Sequence, residues 1–221
     1  MKKNYTHVSV ILDRSGSMES IREDTIGGFN SFLRKQQTEA GTATLTLVQF
    51  DSQDPYEVIH RFQPIGTVPE LTQETYVPRA NTPLLDSLGR GINDLEQCLG
   101  EIKHKDQPSN VVVVVVTDGE ENASQEFTKK QIEKMVREKS ENDSWQFVFL
   151  SASLAAFGDA RDIGIQNQSS LAFDQTRAGC EEVWNTLSCR TSDVRTGRKA
   201  KLEFEQQDRK RKDDPHKTKR P

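Results

Sequence analysis

Seven consecutive β-branched residues, Val111 to Thr117, dictate much of what this chain can become. Such side chains lose rotamer freedom in a helix and pack well on a pleated surface, so the run reads as a strand. Its first six positions, Val111 to Val116, are all apolar rather than apolar at every second one. A strand of that kind is buried on both faces, as in a parallel sheet covered by helices. Six apolar residues are far too few to span a bilayer as a helix, which takes about 20.

The segments around this run alternate strand and helix periods. Tyr5 to Leu12 is a second apolar, β-branched strand that stops at Asp13. Ser20 and Glu23 have the spacing of a capping box, and Ile21, Ile26, Phe29, Phe32 and Leu33 form a helical stripe behind them. Thr42 to Phe50 alternates apolar and polar residues, and Glu57 to Phe62 reads as its hairpin neighbour. After the prolines at 64, 69 and 78, Pro83 opens a long amphipathic helix through Leu99. Thr128 and Gln131 cap a further helix, Trp145 to Leu150 and Ser170 to Phe173 are strands, and Thr176 to Leu187 is the last helix. This repetition predicts a doubly wound, Rossmann-like α/β domain, mostly parallel, with one antiparallel edge strand and helices on both faces.

Charge divides the chain. Of 221 residues, 29% are charged and the net charge is −4. Residues 195–221 carry eleven Lys/Arg against five Asp/Glu, a net of +6, and only Ala200, Leu202 and Phe204 among them are aliphatic or aromatic. The expectation is a domain over residues 1–194 and a basic, disordered tail over 195–221. The apolar stretch after Lys2-Lys3 is too short for a signal sequence. Three cysteines without CxxC spacing argue against a zinc site or a disulfide framework. The chain is therefore expected to be soluble, cytoplasmic and monomeric.

In doubly wound sheets, ligands bind beyond the carboxyl ends of the strands, where the strand order reverses. Two strands end here in a carboxylate: Asp13 in Asp13-Arg14-Ser15-Gly16-Ser17-Met18, and Asp118 in Thr117-Asp118-Gly119-Glu120-Glu121. Asp13, Ser15 and Ser17 offer oxygen at alternate positions, and Gly16 permits the bend that lets them converge. Two carboxylates with several hydroxyls form a hard oxygen environment suited to Mg²⁺, or to Mn²⁺. Taken singly, each segment is also an ordinary turn.

Together these residues resemble the metal-ion-dependent adhesion site of von Willebrand factor type A domains. Val8 to Met18 is similar to the family's first motif, DxSxS. Thr82 in Asn81-Thr82-Pro83-Leu84-Leu85-Asp86 matches its threonine, and Asp118 matches its later aspartate. All five positions agree, and the resemblance covers about residues 5 to 188. Asp24 to Asn30 and Glu120 to Ser124 further resemble small, stand-alone bacterial and phage members. The resemblance implies the strand order 3-2-1-4-5-6. It also implies that Asp13, Ser15, Ser17 and Thr82 contact the ion directly or through water, and that Asp118 acts through water.

Other residues carry weaker signals. Asp51 reads as a support of the metal or a turn residue, Asp86 as a partner of the helix dipole, and Glu120 and Glu121 as an acidic rim or solvated groups. The four histidines have no ligand spacing, and Trp145 and Trp184 read as core anchors.

The function expected is a metal-dependent protein–protein interaction module rather than an enzyme, its bound ion accepting an Asp or Glu from a partner. A Mg²⁺-dependent phosphotransferase or phosphatase of the haloacid-dehalogenase type, using Asp13 as nucleophile, is the competing reading. It needs a second aspartate where this chain has Ser15, and serine cannot supply that acid at neutral pH. A nucleic-acid-associated adaptor acting through the basic tail is a third reading.

Overall fold

The computed structural model describes residues 1–153 and 156–209. Six strands form one sheet in the order β3-β2-β1-β4-β5-β6. They are β1 (Lys2–Asp13), β2 (Thr42–Phe50), β3 (Glu57–Pro64), β4 (Pro108–Thr117), β5 (Gln146–Ser151) and β6 (Ser170–Ala172). Every pairing is parallel except the β2–β3 hairpin. The expected doubly wound sheet with one antiparallel edge is thus the observed architecture.

The valine run lies at the centre. Val112, Val114 and Val116 enter one core layer beneath α1 (Arg22–Thr38) and α5 (Arg177–Arg195). Val111, Val113 and Val115 enter the other, beneath α2 (Leu84–Glu101), α3 (Lys129–Asn142) and α4 (Ala156–Asp162). Each buried valine contributes on the order of 1.5 kcal/mol or more of transfer free energy. A polar residue anywhere in the run would face one of these two dry layers.

Thr128 and Gln131 form the expected capping box, with both reciprocal bonds present. The Ser20–Glu23 box does not form: a 3-10 turn over Gly16–Ile21 occupies that position, and the Ser20 hydroxyl bonds back to the Ser17 carbonyl. The short α4 has no apolar stripe of its own that marked it, and α5 runs to Arg195, beyond Leu187. Trp184 is a core anchor, packed edge-on to Phe29 and tilted on Phe32.

Residues 195–209 of the expected tail pack against the rest of the chain at several points. Arg195 is buried in α5 and donates to the Gln36 carbonyl at 2.5 Å. Leu202 and Phe204 are buried in the layer beneath α1 and α5. Two apolar side chains suffice to seat a charged segment when backbone bonds hold it. The Leu202 amide donates to Gln146 at 2.6 Å, and the Phe204 amide to the Gln168 carbonyl at 2.7 Å. The rest of the expected tail, residues 210–221, lies outside the described residues.

Candidate metal centre

The sheet order reverses about β1, whose neighbours are β2 on one side and β4 on the other. Leu12 pairs with Val116, so the next residues, Asp13 and Thr117, stand side by side at the carboxyl end. The Thr117 hydroxyl donates to Asp13 Oδ2 at 2.5 Å, and the Ser15 amide donates to Oδ1 at 2.6 Å. Ser15 Oγ and Ser17 Oγ are 3.1 Å apart, and Ser17 Oγ donates to Asp118 Oδ1 at 2.7 Å. Four of the five candidate residues are thereby joined in one polar cluster.

Thr82 approaches from a different loop. Its hydroxyl and that of Ser17 both lie 3.7 Å from the point that a Cβ on Gly119 would occupy. Gly119 thus lies close to both hydroxyls, which places the Thr82 loop at the same end of the sheet as the other four residues.

Burial dominates the electrostatics of this place. Asp13 is fully buried, and burial pushes its carboxyl up to about 7 despite the bonds from Thr117 and Ser15. The neighbouring Asp118 charge adds to that rise. Asp118 is itself raised by burial, which the Ser17 bond partly offsets. Among the described residues, no group of three or more His, Cys, Asp or Glu side chains is placed to hold a metal. A metal at this site would therefore depend on hydroxyls beside two carboxylates. Such an all-oxygen set fits Mg²⁺ or Mn²⁺ better than a metal that prefers nitrogen or sulfur.

Supporting residues explain how three loops hold this arrangement. Tyr76, fully buried, donates to the Asp13 carbonyl at 2.6 Å. The Arg79 amide donates to the Arg14 carbonyl at 2.7 Å, and the Gly16 amide to the Ala80 carbonyl at 3.0 Å. These bonds lay the 65–83 loop over the DxSxS loop. Asp51 does not touch Asp13 but latches the same two loops, accepting from Arg14 Nε at 2.6 Å and Arg79 Nε at 2.9 Å. Burial alone would raise the Asp51 carboxyl; the bonds from Arg14, Gln53, Arg79 and Asp54 bring it below its ordinary value.

The third loop is fastened to the start of α2. Asp86 accepts from the amides of Gln125, Glu126 and Phe127 at 2.8, 2.9 and 2.9 Å. Glu121 accepts from the Leu85 amide at 2.9 Å and from Ser124, and Asn122 accepts from the Thr82 amide at 2.9 Å. Glu121 is thus a backbone fastener rather than a repelling rim, while Glu120 is exposed. The roles of Thr117, Tyr76, Asn122 and Glu121 escaped sequence reasoning because they depend on partners 36 to 104 residues away. No local pattern marks such pairs.

No protein-family model and no curated protein matches the sequence. Solved structures do match. Proximal thread matrix protein 1 from the mussel byssus, with a zinc-occupied MIDAS motif, aligns over 85% of this chain and 46% of its own at 11% identity, with a TM-score of 0.58. A von Willebrand factor type A structure from Catenulispora acidiphila aligns over 85% of this chain and 42% of its own at 11% identity, with a TM-score of 0.56. The fold is that of a von Willebrand factor type A domain. Manganese-loaded TRAP protein from Plasmodium vivax shares it, over 80% of this chain and 72% of its own, at 13% identity and a TM-score of 0.54. The chain spans less than half the length of the mussel and Catenulispora chains.

Proposed function

We propose that this type A domain is a metal-dependent protein-interaction module. Asp13, Ser15, Ser17, Thr82 and Asp118 hold Mg²⁺ or Mn²⁺, and a carboxylate from a partner protein completes the coordination. The observation that carries the reading is the buried, raised Asp13 carboxyl within a cluster of hydroxyls. When bound, the metal supplies positive charge to that cluster and an attachment point for an acidic side chain. The protein's own residues do the rest. Thr117 and the Ser15 amide orient the Asp13 carboxylate, Ser17 orients Asp118, and Asn122 positions the backbone of Thr82.

The enzyme reading finds less support. A phosphatase using Asp13 as nucleophile needs a proton donor at the leaving group, and position 15 carries a serine that bonds to Ser17. Cys98, Cys180 and Cys189 are all free, which supports placing the protein in a reducing compartment such as the cytoplasm.

Calorimetric titration of Mg²⁺ and Mn²⁺, followed by affinity capture with and without chelator, tests the proposal. Metal should bind, and capture should need metal, fail in Thr82→Ala, and require an Asp or Glu on the captured protein. Capture that survives chelation would move the interface elsewhere. Metal-dependent phosphate release lost in Asp13→Asn would establish the enzyme instead.

A further inference from the structure

We propose that the groove between β6 and α5 docks an extended, basic segment of a partner protein, which adds to the sheet along the open edge of β6. This second contact goes beyond the metal-dependent reading and needs no metal.

β6 is the last strand of the sheet and pairs on one side with β5. Successive residues of a strand turn their amides and carbonyls to opposite sides. The Phe173 amide donates to the Ser151 carbonyl at 3.0 Å, so it faces β5. Ala172, one residue earlier, therefore turns its amide and carbonyl away from β5, and Ser170 does the same. The outward Ser170 carbonyl already accepts from the Arg209 guanidinium at 3.0 Å. Just before the strand, the Gln168 carbonyl accepts from the Phe204 amide at 2.7 Å. The chain's own 204–209 segment thus uses the beginning of this edge. Among the described residues, no backbone group outside the sheet bonds the Ala172 amide or carbonyl. An edge left open in this way is a template for the main chain of another segment.

Ala172 borders a groove of about 820 Å³ whose facing wall is α5, and Leu171, Phe173 and Val183 give it an apolar floor. Charge selects the occupant. Asp174, Glu181, Glu182 and Asp208 line the groove against Arg190 and Arg209. Both arginines are engaged, Arg190 by Asp193, Glu205 and Asp208, and Arg209 by the carbonyls of Ser170 and Asn167. Glu181 pairs with Arg177 at 2.9 Å, but both side chains are exposed and such a pair holds weakly. The wall therefore carries an excess of carboxylate at 174, 181 and 182. An extended segment presents its side chains alternately to two sides. One that alternates lysine or arginine with apolar residues sets its apolar side on the floor and brings its cations to the acidic wall.

Titration of the full chain, in EDTA, with a fluorescein-labelled Lys-Val-Lys-Val-Lys-Val peptide tests this by anisotropy and by the backbone amide proton–nitrogen spectrum. Binding should saturate and shift the Ala172 amide together with amides of α5. Ala172→Pro removes an amide that faces away from β5, which an edge strand tolerates. It should weaken binding about fivefold, the worth of one main-chain bond. Glu181→Gln/Glu182→Gln should weaken it about fivefold as well, and the same peptide with glutamate for lysine should not bind. If Ala172→Pro melts as a misfolded chain, the glutamine variant and the spectrum decide. No binding up to about 1 mM peptide would overturn the proposal. So would equal binding of the acidic peptide, or shifts scattered over other acidic surfaces with the Ala172 amide unmoved. Unchanged affinity in a folded Ala172→Pro would overturn the strand addition. EDTA keeps each of these outcomes separate from the fate of the metal centre.

Discussion

The Thr117 hydroxyl donates to the Asp13 carboxylate at 2.5 Å, tying together the carboxyl ends of β1 and β4. This one bond fixes the orientation of a buried acid at the point where the strand order reverses. Asp13→Ala should abolish Mg²⁺ and Mn²⁺ binding without unfolding the domain. Thr117→Val, which keeps the shape and removes the donor, should weaken metal affinity roughly 10–100-fold, as loss of a ligand's supporting bond does. Calorimetric titration of the three proteins checks both, and equal affinities would remove Asp13 from the site.

Asp86 should matter for the loop rather than for the metal directly. Its three bonds to backbone amides hold residues 125–127 against α2. Asp86→Ala leaves three amides without their acceptor and should cost about 2–4 kcal/mol, since bonds to a charged group contribute about 1.5–3 kcal/mol each and some amides regain water. Urea denaturation measures it. A loss under 0.5 kcal/mol would mean that the loop is held elsewhere.

Gly27 and Gly28 are neighbours in α1 with opposite expected responses. A Cβ on Gly27 meets nothing within 4 Å, whereas one on Gly28 would lie 2.0 Å from Trp184 Cδ1. Gly27→Ala should stabilise by about 0.5–1 kcal/mol through helix propensity. Gly28→Ala should destabilise by about 1–3 kcal/mol or more by overpacking the Trp184 ring. Thermal melts of the two variants separate the effects.

His7 gives the fold an acid sensitivity independent of the metal. It is fully buried in β1, stacked on Phe62, with Nδ1 2.9 Å from the Thr44 hydroxyl and Nε2 without a partner. Burial lowers it from 6.5 to about 3. Above pH 6.5 the ring is neutral in both folded and unfolded chains, and its contribution is constant. As pH falls from 6.5 toward 3, the unfolded chain takes up the proton and the folded one does not. Stability is therefore lost at up to about 1.4 kcal/mol per pH unit. The melting temperature of His7→Gln should fall less steeply than that of wild type between pH 6.5 and 5.

Phe204 tests the extent of the body. Its buried ring makes residues 196–209 part of the fold, so Phe204→Ala should cost about 3 kcal/mol, as buried phenylalanines do. Deletion from residue 196 onward should lower the melting temperature clearly. An unchanged melt would restore the boundary at Val194.

The alternation of strands and helices, the buried valine strand and the antiparallel hairpin were legible in the sequence, because hydrophobic period alone dictates which faces an element must bury. The oxygen-rich loops after β1 and β4 were legible too, since Asp13, Ser15 and Ser17 lie within five residues. Tertiary structure decided what each of these groups touches. It put Thr117 beside Asp13 through the β1–β4 register, turned Glu121 from a rim charge into a fastener, and made Asp51 a latch between Arg14 and Arg79. It also drew Leu202 and Phe204 into the core from a segment whose composition reads as solvated. The physical reason is common to all four. Composition and period describe how a segment meets water, whereas a hydrogen bond or a packed ring depends on a partner brought near only when the sheet has closed.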